Sequence, residues 1–65
     1  MSGPQPAIER WPVGTRFAWR LPRSEDIKLG TVVGASRNVD KLRVTLDSAP
    51  AEVQEMYCWE LERAT

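Results

Sequence analysis

From Thr15 onward apolar and polar residues alternate along much of the chain, the period of a β-strand with one buried face. Phe17, Trp19 and Leu21 stand two apart, with Arg16, Ala18 and Arg20 between them, which predicts a first strand. A polar, proline-containing loop over 21–26 follows. Residues 28–35 return to strand, with Thr31, Val32 and Val33 at the centre and Gly30 and Gly34 bracketing them. Glycine inside a strand marks a bulge, a tight bend or a close backbone approach, the means by which a small sheet curls. Residues 36–40 supply turn-forming side chains, and over 41–46 Leu42, Val44 and Leu46 face one way. Residues 47–50 read as a turn, 53–57 as a fourth strand, 58–60 as one helical turn and 61–64 as a closing fifth strand. Residues 51–63 also place Val53, Met56, Tyr57 and Trp59 near helical spacing. Strand, turn, strand is preferred because Pro50 and the preceding hairpin set up antiparallel pairing.

Five short strands with a long loop after the first describe an all-β fold, a small five-stranded SH3-like barrel. Residues 1–12 hold Ser2, Gly3, Pro4, Gln5, Pro6 and Pro12, a composition that resists helix and ladder alike. A flexible Pro-rich tail is expected over 1–12 and one domain over 13–65, with Ile8 and Trp11 either folded back onto the domain or left in water. A chain of 65 residues buries only about 60% of the surface it exposes when unfolded. Such domains recover stability from disulfides, metals or association. One cysteine and no histidine leave association, so self-assembly is expected.

The same inventory limits the chemistry. Without histidine there is no Ser-His triad, no imidazole acid–base catalysis and no His-containing zinc site, and no metal site is expected. Cys58 cannot form a disulfide within the chain, and no basic-then-apolar leader opens it, so a cytoplasmic setting is expected. No apolar run approaches the roughly 20 residues that span a bilayer. Nine basic and nine acidic residues cancel, which argues against a nucleic-acid partner. Such a role would rest on a local patch drawn from Arg16, Arg20, Arg23, Lys28, Arg37, Lys41 and Arg43.

Gly14, Arg16, Gly30, Val33 and Gly34, followed by Val44, Pro50, Val53, Gln54, Leu61, Glu62 and Arg63, are the positions through which the chain resembles the type II, plasmid-borne dihydrofolate reductases. The run over 44–63 fits without a gap; the earlier part needs a longer first loop and a shorter hairpin. The resemblance implies an SH3-like subunit in a trimethoprim-insensitive homotetramer. It also implies one central pore, where copies of a Val-Gln-Ile-Tyr strand and a strand-one lysine bind NADPH and dihydrofolate together. Carried onto this chain, it makes Gln54 and Tyr57 the catalytic candidates and Arg20, Val53, Gln54, Met56 and Tyr57 the cofactor contacts. Such a pore aligns two ligands and leaves the hydride chemistry to the cofactor, so no general acid is required.

Departures from the family pattern set alternatives. After Val53 and Gln54 come Glu55 and Met56, Tyr57 arrives one place late, and the family lysine falls near Trp19 or Arg20, of which only Arg20 carries a cation. If Glu55 is a bulge residue, Gln54, Met56 and Tyr57 rebuild the family's surface. If it takes the isoleucine position without a bulge, symmetry copies crowd carboxylates near anionic ligands, at about 1 kcal/mol per like-charge pair in water and several times more in a dry pore. Alternation on a flat strand would instead turn Glu55 away from Gln54 and Met56. A different class also fits: a non-catalytic, Tudor-like module whose groove, lined by Trp19, Tyr57 and Trp59, holds a protein or nucleic-acid partner. Cys58, with no base beside it, reads as a small buried hydrophobe.

Overall fold

The computed structural model describes residues 6–64. Its alternating segments become strands: β1 (Arg16–Arg20), β2 (Ile27–Ala35), β3 (Lys41–Leu46), β4 (Ala49–Tyr57) and β5 (Leu61–Arg63), with a 3-10 turn at Cys58–Glu60. All pairings are antiparallel, and the sheet runs β4-β3-β2-β1-β5, so that β4 and β5 are its edges. The fold is therefore all-β with an open sheet. Residues 51–63 form no α-helix; their helical content is the 3-10 turn.

Alternation decides the core. Leu42, Val44 and Leu46 of β3 point inward beside Phe17, Val32, Met56 and Leu61, and Phe17, Val32, Leu42 and Val44 are completely buried. Each such side chain contributes roughly 1.5–3 kcal/mol on leaving water. No polar side chain is buried among the described residues. Gly30 lies opposite Phe17 and leaves room for its ring, the close approach that glycine in a strand predicts. The register between β2 and β3 slips at Val33, which places a bulge between the two glycines and bends the sheet there.

β4 departs from expectation at its start. The turn after β3 contracts to Asp47 and Ser48, because Ala49 already pairs with Leu46. Four residues, 50–53, then stand opposite Thr45 alone before pairing resumes at Gln54 with Val44. Pro50 is tolerated because an edge strand has one side on which no ladder donor is needed.

Of the two alternatives for Ile8 and Trp11, the described part of the N-terminal segment takes the folded-back one. Residues Ala7–Arg10 form a helical turn, α1, and Ala7 and Trp11 enter the core at 2% and 6% exposure. Ala7 N–H donates to the Val39 carbonyl at 2.7 Å, and the Arg63 guanidinium lies 4.1 Å from the centre of the Trp11 ring while donating to the Arg10 carbonyl at 2.9 Å. The physical reason is Trp11: so small a core gains more from one large apolar ring than the short segment loses in entropy. Residues 1–5 of the expected tail lie outside the described residues.

Candidate functional site

The sequence candidates converge on β4, and the hydrogen-bond parity of that strand determines what each offers. Cys58 N–H donates to the Asp40 carbonyl at 2.9 Å, and the register holds without a slip from Tyr57 opposite Lys41 to Gln54 opposite Val44. In an antiparallel ladder only alternate residues bond to a given neighbour. Gln54, Met56 and Cys58 therefore turn their backbone groups to β3, while Glu55 and Tyr57 turn theirs to the open edge. The Tyr57 N–H is taken by Glu60 Oε2 at 2.9 Å, reaching back from the 3-10 turn. The N–H and C=O of Glu55 are left facing outward.

Side chains alternate the other way. Gln54 shares the core-side face with Val44, is half-buried, and makes no side-chain hydrogen bond among the described residues. Met56 lies deeper on the same face, 5% exposed against Leu42. Glu55 and Tyr57 occupy the outer face. There Glu55 accepts a 2.6 Å bond from the Ser36 hydroxyl and stands opposite Arg43. Tyr57 stacks on Trp59, with ring centres 4.4 Å apart and planes 12° from parallel, and the Lys41 ammonium sits 4.7 Å from its centre. Val53 belongs to the 50–53 excursion and is 59% exposed.

This geometry selects among the alternatives for Glu55. Glu55 is not a bulge residue: the irregularity precedes Gln54, and alternation turns the carboxylate away from the Gln54 face. Gln54, Met56 and Tyr57 consequently do not form one surface within a chain, and Met56 is committed to the core. Arg20 ends β1, with β2 and β3 between it and β4, and its Nε donates to Glu62 at 3.4 Å. The aromatic groove also divides, since Trp19 packs against the core while Trp59 is 66% exposed beside Tyr57. Cys58 is partly buried against the core, as a small hydrophobe would be.

The strongest electrostatic feature lies elsewhere. Arg16 donates to both oxygens of Asp47, at 2.8 and 2.5 Å, and to Thr31 Oγ1 at 2.8 Å. That bidentate bond holds the Asp47 carboxyl below its usual range and raises the guanidinium above its own. A hollow of about 190 Å³ between α1 and the β2–β3 turn is lined by Pro6, Ile8, Ala35, Val39 and Lys41 and does not reach Gln54.

Sequence reasoning missed Glu60, and named Lys41 only as part of a basic patch, not beside Tyr57. The signal for Glu60 was its place three residues after Tyr57, the spacing at which a carboxylate returns to a turn's first N–H. Lys41 was legible only through its cross-strand pairing with Tyr57. Among the described residues no helix is long and apolar enough to cross a membrane. Compared with family models, curated proteins and solved structures, the chain matches none.

Proposed function

We propose that this sheet is an SH3-like barrel subunit that assembles in the cytoplasm into a homotetramer, and that the assembly reduces dihydrofolate with NADPH in a pore shared by its subunits. The observation that carries the reading is the outward-facing N–H and C=O of Glu55, next to the unengaged amide of Gln54. A carboxamide such as that of nicotinamide has one donor and one acceptor side by side, and so does the amide edge of a pterin. Both are complementary to a backbone residue presenting its own pair at a strand edge.

Other features support this reading. The Glu55 carboxylate is engaged by Ser36 on the face away from Gln54, which relieves the crowding of charge that an inward carboxylate would cause. The family reading needs several copies to close the site, in keeping with a Gln54 that lies outside the hollow between α1 and the β2–β3 turn. NADPH, when bound, supplies the hydride. The chain's part is to hold both rings in register: Glu55 through its backbone, Gln54 through its amide, Val53 by apolar contact at the rim, and Arg20 as cation once released from its long contact with Glu62.

The test pairs a mass measurement in solution with NADPH oxidation driven by dihydrofolate in the presence of trimethoprim. A tetramer with turnover is expected, and Gln54→Ala should lower kcat/KM about ten- to a hundredfold, the loss of one or two hydrogen bonds to a polar ligand. A monomer, or no turnover, overturns the reading.

One observation favours a second reading, a non-catalytic module for a protein partner. The Tyr57–Trp59 stack with Lys41 lies on the outer face, is separate from Gln54, and leaves Trp59 open. Absence of turnover together with binding lost in Trp59→Ala would select it.

A further inference from the structure

We infer that residues 7–11 form a latched strap, one that opens and closes over the core while the sheet stays folded, with Arg63 as its latch and the short Pro12–Val13 link before Gly14 as its hinge. The strap lies outside the sheet's ladder. A helix of four residues has no stability of its own. What holds α1 is the burial of Ala7 and Trp11, the bond from Ala7 N–H to Val39, and the double hold of Arg63 on the Trp11 ring and the Arg10 carbonyl. The anchors sit on neighbouring elements, Val39 in the β2–β3 turn and Arg63 on β5, where its backbone pairs with Phe17 of β1 while its side chain reaches the strap.

The boundary is equally well defined. Gly14 adopts φ +94°, a left-handed conformation that favours glycine, and its N–H bonds the Val32 carbonyl at 2.8 Å. Val32 N–H in turn bonds the Thr15 carbonyl at 2.9 Å, so the chain is pinned from Gly14 onward. Between this pin and Trp11 lie Pro12, whose carbonyl accepts one bond from the Thr15 N–H at 3.0 Å, and the exposed Val13. Elements with few ties to the rest of a fold open as units at lower free energy than the whole molecule. Rotation within the Pro12–Val13 link, at the loss of the single Thr15–Pro12 bond, would release Ala7 and Trp11 together and uncover the part of the core that β2 and β3 contribute.

Site-resolved amide hydrogen exchange on the full chain tests this. The Ala7 and Trp11 amides are expected to exchange together, at least about tenfold faster than the Val32 amide. Arg63→Ala should speed that pair several-fold further and leave the Val32 rate unchanged, and Arg63→Lys, which keeps the charge but loses the guanidinium over the Trp11 ring, should fall between. Exchange of Ala7 and Trp11 at the rate of Val32 in the unaltered protein would overturn the strap. Equal acceleration of all three amides in Arg63→Ala, or none, would overturn the latch.

Discussion

Gly30 shows how much a single missing atom decides here. A Cβ at this position would come within 2.5 Å of Phe17 Cζ and press on the Thr45 carbonyl oxygen, whereas at Gly34 it would meet nothing. Neither obstacle can move cheaply, since the ring is fully buried and the oxygen belongs to β3. Gly30→Ala should therefore cost about 1–3 kcal/mol, the usual penalty of overpacking a core, and Gly34→Ala should cost well under that in urea denaturation. Equal effects would mean that the two glycines serve only chain flexibility. At the same scale, the sequence marked Gly30 and Gly34 alike as sites of a bulge, a bend or a close approach, but not which of these each serves or which group approaches. Phe17 was placed on one face of the first strand with Trp19 and Leu21, yet its pairing with Gly30 depends on a register that single-strand periodicity leaves open.

The strands illustrate where such periodicity succeeds and where it stops. β3 was readable because Leu42, Val44 and Leu46 must all face one core. β4 was readable only from its second half, because the excursion at 50–53 carries no alternation and its burial is set by the edge position, not by side-chain polarity. That excursion also fixes the phase of everything after it, which is why Met56 fell to the core and Tyr57 to the outer face. α1 escaped notice because a proline-rich composition describes local preference, and Trp11 reversed that preference through tertiary burial. Contacts between elements were likewise invisible in the pattern. Arg16 on β1 joins Thr31 on β2 to Asp47 after β3, tying three elements on the outer face. Because the folded Asp47 carboxyl titrates below an unfolded one, the stability it adds is complete above the unfolded pKa of about 3.9 and disappears as pH falls through the folded value. Asp47→Asn should thus lower the denaturation midpoint at neutral pH, and the gap from the unaltered protein should narrow progressively below about pH 4. A gap independent of pH would assign the effect to turn geometry alone.

For the molecule as a whole, the balance of buried and exposed apolar surface argues for association. Among the described residues nine hydrophobic side chains form the core, two of them supplied by the strap, while Val13, Ile27, Leu29, Val33, Val39, Val53 and Trp59 remain exposed. Ile27, Leu29 and Val33 lie along one strand, β2, on the side opposite buried Val32, so this apolar surface is contiguous in part and not merely scattered. A single exposed hydrophobe is ordinary; a row on one sheet face beside a small core is a surface that gains from being covered. Formal charge of zero removes the long-range repulsion that would oppose contact between copies. If copies stabilise one another, folding is linked to assembly by mass action, and each hundredfold dilution withdraws about 2.7 kcal/mol from every bimolecular step. The thermal midpoint should accordingly rise with protein concentration across two decades, and the separation between curves should shrink when Leu29→Thr or Val33→Thr makes the β2 face polar. A midpoint that stays constant across that range would show that the nine-residue core sustains the fold alone, and the shared pore would lose its physical basis, since no second copy would be present to complete it.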